Sequence, residues 1–595
     1  MDFLIKKIQT ILFIGICIIS FFIVNLTTAE TSEIKNVNLQ LILGEAGGTG
    51  GCQHPIYCNG TLLKTIQLVQ VFNDSKTFVD MPMRSSAEFI NEQFNQLLLN
   101  TSNNGGPNKE ELAAFLSENF YPAGYEVEPV TPVDWVPNPS FLDEITDPNL
   151  NDFARSIHGK WLELTRIFNT SGLCDGCYSS IPVNNPFVIA GSRFREFYYW
   201  DSYWIIQGLL VSDMTTTAKG MLKNFADMIS EFGFIPNGGR IYYLNRSQPP
   251  LFTQMVNNYI DATGDMEFLQ EILPILDQEY QWWMTHRTSE LTNEISGETV
   301  ILNLYNASNH SPRPESYYED YTDALGFSSD QEKDYFYSSI ASGAESGWDF
   351  SSRWMSPSDN TNLTTIQTID VIPVDLNSIL YLNEKILSQF HRSLGNNSMA
   401  IFYQSASDNR VNAMQQVFFN ENTFQWNDYN LKTNTNNQNW YTSNILPLFA
   451  DIQSSIDIDN QEIDLLFKSL ANVLMGYTGG VPTSLISAQS LQWDGVNVWP
   501  PLQYWVIESI MTPNTTFSNL LGKNLIDRWI TTNFCGWNST LESQGGMMFE
   551  KYNANFIGVP GGGGEYVVQN GFGWTNGVDL YLLKKYGKSI TLNNC

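Results

Sequence analysis

The chain has 595 residues, a formal net charge of −31 and 13% aromatic residues. That length accommodates several average domains or one large toroid or barrel. No basic stretch is present to neutralise phosphates, which excludes nucleic-acid binding. The acidic excess suits an extracellular medium or an acidic lumen, where partial protonation lowers self-repulsion.

In chain order, residues 1–29 read as a signal peptide. Lys6 and Lys7 precede an apolar run from Ile11 to Val24, and Thr27-Thr28-Ala29 supplies small residues at a cleavage site. The run falls short of the roughly 20 residues that span a bilayer, which favours a cleaved signal over an anchor. The polar end, Ile590 to Cys595, does not resemble a lipid-anchor signal. The expected destination is the secretory pathway, ending outside the cell or in the lysosome, with no stable membrane anchor. Asn59, Asn73, Asn100, Asn169, Asn245, Asn306, Asn309, Asn362, Asn396, Asn514 and Asn538 stand in glycosylation sequons. Asn245, beside candidate site residues, is not expected to carry a glycan.

Beyond the leader, Cys52, Cys58, Cys174, Cys177, Cys535 and Cys595 are an even set in a secreted chain. They suggest disulfides whose pairing stays open. Cys174-Asp175-Gly176-Cys177 has redox or zinc spacing, but no second Cys pair or His cluster completes a metal site. Its expected role is structural. His54, His158, His286, His310 and His391 form no metal motif, so no metal or other cofactor is expected.

From about residue 200 the apolar pattern is helical and comes in pairs. Ala218, Met221, Leu222, Phe225, Met228, Ile229 and Phe232 share one face, with Gly233 as a stop. Leu376, Ile379, Leu380, Ile386, Leu387 and Phe390 repeat the pattern. Further helical windows lie near 85–100, 149–168, 202–213, 251–262, 266–286, 443–453, 461–475, 502–511, 519–534 and 577–586. Connections within pairs are short, whereas 234–249, 287–373, 476–500 and 535–576 are long and rich in Gly, Asn, Trp and charge. Short links alternating with long ones predict an all-α toroid of helical hairpins that sends its long loops to one end. No linker marks a second domain, so residues 30–595 are expected to form one domain, its N-terminal extension wrapping the toroid.

The long loops carry the chemistry. Arg193-Phe194-Arg195-Glu196-Phe197-Tyr198-Tyr199-Trp200-Asp201-Ser202-Tyr203 enters a helix, where Asp201 could equally be a helix cap. Asn237 with Arg240, Arg246-Ser247-Gln248, Arg313-Pro314-Glu315 and Gly347-Trp348-Asp349 follow. Then come Gln492-Trp493-Asp494 with Trp499, and finally Glu550-Lys551-Tyr552 before four glycines and Glu565-Tyr566. Carboxylates and amides serve sugar hydroxyls, and aromatic faces serve sugar C–H faces. Cleaving an acetal needs an acid for the departing oxygen and a carboxylate to activate water or attack the anomeric carbon. Without metal or cysteine candidates, Asp and Glu must supply both.

Arg193 to Tyr203 resembles one signature of the trehalases, and Gln492 to Pro501 resembles a second. The run from Gly561 to Gly577 is similar to a third stretch of that family, so the similarity spans nearly the whole chain after the leader. The resemblance implies an (α/α)6 toroid that hydrolyses α,α-trehalose to two glucoses with inversion, needing substrate and water alone. By motif it implies Asp349 as general acid and Glu550 as general base. Substrate-binding positions carry over to Arg193, Trp200, Asp201, Asn237, Arg246, Ser247, Gln248, Arg313, Glu315, Gly347 and Glu565. Departures from the family pattern at Ala190-Gly191-Ser192, Val496 and Val498 alter turns and leave every acid in place. The competing expectations are another (α/α)6 glycosidase acting on α-glucans and a non-catalytic sugar-binding glycoprotein. Oligomeric state is not readable from the sequence.

Overall fold

The helical pattern resolves into hairpins that follow one another around a ring. The computed structural model describes residues 51–595 except 293–298, 457, 488–490 and 565–567 and the side chain of Asn104. The leader and Glu565 therefore lie outside the described residues, all of which fall in one compact unit, Ile42–Cys595. The ring is built from α1 (Pro148–Leu164), α2 (Asp201–Val211), α3 (Thr215–Phe232), α4 (Phe252–Thr263), α5 (Met266–His286) and α6 (Val374–Ser393). It continues with α7 (Asn397–Phe418), α8 (Leu446–Phe449), α9 (Asn460–Ser469), α10 (Pro500–Met511), α11 (Thr516–Gln544) and α12 (Gly573–Tyr586). Each even-numbered helix packs on the next even-numbered one, and α12 returns to α2, closing an inner ring. The odd-numbered helices pack outside it. This is an (α/α)6 toroid.

Burial separates the two rings. The inner helices α2, α10 and α12 bury unbroken runs, Asp201 to Leu209, Pro500 to Ile510 and Gly573 to Leu580. A helix buried on every side, polar residues included, sits inside the fold. The outer α3 buries Met221, Leu222, Phe225 and Ile229 while Asp227 and Glu231 face solvent. Closure depends on glycine. A Cβ on Gly577 would stand 2.0 Å from the Trp204 carbonyl oxygen, and one on Gly208 would stand 2.8 Å from the Gly577 Cα. First and last inner helices thus meet backbone to backbone.

Three expectations about elements change. The segment 397–418, not predicted as a helix, is the outer helix α7, which buries Ala400, Tyr403, Ser407, Val411, Met414 and Phe418. That stripe has helical spacing, but its small and polar members hide it among Asn, Gln and Ser. The expected loop 287–373 contains the helix Asp330–Glu345, and α11 runs to Gln544 instead of ending near 534.

Short strands fix the loops at one end. β1 (Val127–Pro129), β2 (Thr165–Phe168) and β3 (Phe187–Val188) form an antiparallel sheet that guides the chain toward α2. β4 (Asn497–Val498) pairs antiparallel with β5 (Tyr552–Asn553), Val498 opposite Tyr552, which lays the Gln492 and Glu550 loops side by side. The N-terminal segment reaches the same end, where Gln67 donates to the Pro314 carbonyl and Ser75 to Glu319. Disulfides join Cys52 to Cys58, Cys174 to Cys177 and Cys535 to Cys595.

Candidate active site

The loops that precede α2, α4, α6, α10 and α12 converge on one pocket of about 710 Å³, its open mouth included. Arg193, Trp200 and Asp201 line it from the first loop, Asn237, Arg246 and Gln248 from the second. The third brings Arg313, Glu315, Gly347 and Asp349, the fourth Gln492, Trp493 and Trp499, and the last Glu550, Phe572 and Trp574. Residues scattered from 193 to 574 therefore share one wall.

Trp200 anchors the floor. Its ring packs against Trp204, Trp493, Trp505 and Trp574 at centroid separations of 5.4 to 6.2 Å, and its backbone N–H donates to Gln248 Oε1 at 3.0 Å. Gly347 passes so close that a Cβ would lie 2.7 Å from that ring, and its φ of +77° is itself a glycine conformation. Trp493 and Trp499 stack at 3.8 Å with their planes 1° apart. Such faces suit the C–H surface of a sugar.

The arginines are aimed by acids. Arg193 grips Asp74 through two hydrogen bonds of 2.7 and 2.9 Å, and Arg313 grips Asp320 at 2.9 and 2.7 Å. Arg246 donates to Asn237 Oδ1 at 3.0 Å and to Glu315 at 2.5 Å. A guanidinium held in two places loses little entropy when it meets a ligand. Burial alone would raise the Glu315 carboxyl, but Arg246 and Arg313 outweigh it and hold the group low.

The acids differ from one another. Glu550 is buried, its Oε2 accepts from the Gln569 N–H at 3.3 Å and its carbonyl from Trp574 Nε1 at 3.0 Å. Asp349 is half-buried, and its carbonyl accepts from Gln492 Nε2 at 2.8 Å. Asp201 begins α2, yet no side chain caps that helix start. Its carboxyl is pushed well above the ordinary range, first by burial and then by the fields of Glu550 and Asp349. Asp201 therefore favours its protonated form more than a free carboxyl does, beside two further carboxyls.

Of the expected substrate-binding residues, Ser247 does not line the pocket. Its hydroxyl donates to the Ile235 carbonyl at 2.7 Å and its N–H to Glu345 Oε1 at 2.9 Å, which ties its loop to the Arg287–Glu345 pair. Lys76 and Tyr243 line the pocket without having been singled out from the sequence. Lys76 offered only an i, i+4 pairing with Asp80, a pattern shared by countless surface helices. Among the described residues no group of three or more His, Cys, Asp or Glu could hold a metal ion.

A family model described as trehalase matches residues 70–587. The chain is 87% identical over 597 aligned positions, covering all of both chains, to a trehalase of Dictyostelium discoideum. It is 42% identical to a trehalase of Apis mellifera, over 91% of this chain and 85% of that one. A trehalase of Homo sapiens is 40% identical over 91% of each chain. Among solved structures, the neutral trehalase of Saccharomyces cerevisiae shares the fold with a TM-score of 0.53 at 22% identity, covering 68% of this chain and 73% of that one. With the family model spanning most of its length, this chain belongs to the trehalase family.

Proposed function

We propose that the protein hydrolyses α,α-trehalose to two molecules of glucose with inversion at one anomeric carbon. Asp349 is the general acid that protonates the departing glycosidic oxygen, and Glu550 is the general base that takes a proton from the attacking water. The observation that carries this reading is the convergence of Asp349, Glu550 and Asp201 in one pocket walled by tryptophans and clamped arginines. One acid and one base acting on opposite faces of the sugar is the inverting arrangement. Arg193, Arg246 and Arg313 address sugar hydroxyls, and Trp200, Trp493 and Trp574 confine the rings and exclude water. The raised carboxyl of Asp201 favours its protonated form, which can donate as well as accept a hydrogen bond.

Proton NMR of the purified protein acting on trehalose tests the reaction and its stereochemistry together. Equal early amounts of α- and β-glucose are expected. Early α-glucose alone would mean retention and would require a nucleophile in place of the base, while release from maltose but not trehalose would refute the substrate.

The same reading takes residues 1–29 as a cleaved signal and places the mature glycoprotein outside the cell or in the lysosome. It is supported by the three disulfides and by the exposure of Asn73, Asn100, Asn169, Asn306, Asn362, Asn396, Asn514 and Asn538. Asn59, Asn245 and Asn309 are half-buried. Mass spectrometry of the mature protein should find a new N-terminus close to Glu30; an intact Met1 would sink the leader.

A further inference from the structure

We propose that Lys551 is a positioning residue of the hydrolytic site, its ammonium tying the segment that carries Glu550 to the segment that carries Asp349 and both to the glycine run at 561–564. The inference rests on the roles given above to those two carboxyls. Lys551 is wholly buried, and among the described residues its Nζ forms no ion pair. A buried ammonium without a carboxylate partner is expensive, so it persists where its hydrogen bonds matter.

Those bonds lead in two directions. Nζ donates to Gln492 Oε1 at 2.6 Å and to the Gly563 carbonyl at 3.1 Å, and it lies 4.8 Å above the Trp499 ring. Gln492 then donates from Nε2 to the Asp349 carbonyl at 2.8 Å. Two hydrogen bonds therefore connect the residue after the base with the backbone of the acid. The Gln492 backbone is anchored as well, its carbonyl accepting from Trp499 Nε1 at 3.0 Å and from Asn497 Nδ2 at 2.8 Å.

The glycine run lies directly over this link. A Cβ on Gly564 would stand 2.2 Å from Gln492 Oε1, and one on Gly561 would stand 2.9 Å from Lys551 Cγ. Side chains there would displace the amide that Lys551 holds. The separation of acid and base decides whether one water fits between them, and a misplacement of about 1 Å can cost on the order of 100-fold in rate. Lys551, one residue from the base and two hydrogen bonds from the acid, fixes that separation.

The test is a double-mutant cycle on the full-length enzyme with trehalose, using Lys551→Met, Gln492→Leu and the pair. Each single variant should lose about 100-fold in kcat with KM changed less than threefold, since ground-state binding rests on other residues. The double variant should lose little more than either single, because both cut the same link. Lys551→Arg, which keeps donors and charge, should recover at least tenfold over Lys551→Met. Losses that multiply in the double variant, or a Lys551→Met enzyme within tenfold of wild type, would overturn the proposal. If Lys551→Met does not fold, Gln492→Leu decides the matter alone, since it cuts the link and keeps the charge; wild-type turnover there rejects it. Asp349→Asn and Glu550→Gln measured alongside separate the two levels. Inactive carboxyl variants with an active Lys551→Met would remove only the role of Lys551, whereas active carboxyl variants would remove the assignment beneath it.

Discussion

Two largely buried charge clusters meet at the pocket, and they are built on opposite rules. In the first, Lys76, Arg195 and Arg240 face Asp80, Glu126 and Glu196. Lys76 bonds Asp80 at 2.6 Å and Glu196 at 2.9 Å, while Arg240 bonds Glu196 at 3.0 Å and Glu126 at 2.6 Å. Arg195 adds a bond to Asp80 at 3.0 Å. Burial works against the Asp80 carboxylate, but Lys76, Arg240 and Arg195 overcome it and hold the group far below its usual range. In the second cluster Asp201, Asp349 and Glu550 share a field, and the cation beside them, Lys551, is drawn down to about 8, burial outweighing the pull of Glu550 and Asp349. A neutralised cluster keeps its protons fixed and serves as structure. In the second cluster the acids oppose one another's ionisation, which favours protonation at Asp201 and makes that proton one that can be moved.

The largest effects should come from breaking the cluster of acids. Asp349→Asn and Glu550→Gln should each lower kcat on trehalose by on the order of 10³-fold or more, with the melting temperature unchanged or raised. Steady-state kinetics beside calorimetry checks both halves. A comparable fall in melting temperature would make these acids structural and erase the contrast.

Breaking the balanced cluster should do the reverse. Arg240→Met leaves Asp80, Glu126 and Glu196 buried without a central partner, which should cost about 3–5 kcal/mol in denaturant unfolding. The fraction that stays folded should turn over trehalose close to the wild-type rate. A stable but inactive Arg240→Met protein would place this cluster in the chemistry.

Glu279 sharpens the comparison, since it is an uncompensated acid outside the pocket. It is buried on α5, accepts a hydrogen bond from the Tyr199 hydroxyl, and is raised from 4.5 to about 8 by burial against the opposing effect of that bond. The folded state keeps this proton where the unfolded chain releases it, so stability falls as pH rises from about 4.5 to about 8. Glu279→Gln removes that cost. The variant should melt above wild type near pH 8, and the gap should close toward pH 4. A gap that stays constant with pH would mean that Glu279 is ionised in the folded protein.

Much of this arrangement can be read along the chain because it is local. Alternation of short links, such as Gly264-Asp265, with long ones gave the hairpin order, and the apolar stripe from Ala218 to Phe232 gave an outer helix nearly to its ends. Asp349 and Glu550 stand out because each sits in a short contiguous motif, Ser346-Gly347-Trp348-Asp349-Phe350 and Glu550-Lys551-Tyr552, that resembles the family's. The helix Asn397–Phe418 escaped because its buried stripe uses Ala400 and Ser407, which composition cannot tell from surface.

The sequence by itself determined the helical hairpins, the trehalase motifs and the residue types available to the site. Tertiary structure decided which of them meet. Arg193 finds Asp74 and Gln569, Lys76 finds Glu196, and Lys551 finds Gln492, partners between 59 and 376 residues apart. It also paired the cysteines, turned Ser247 out of the pocket and set Asp201 deep enough for burial to raise its carboxyl. Burial and the distance between charges arise only when remote segments pack, and no local pattern encodes them.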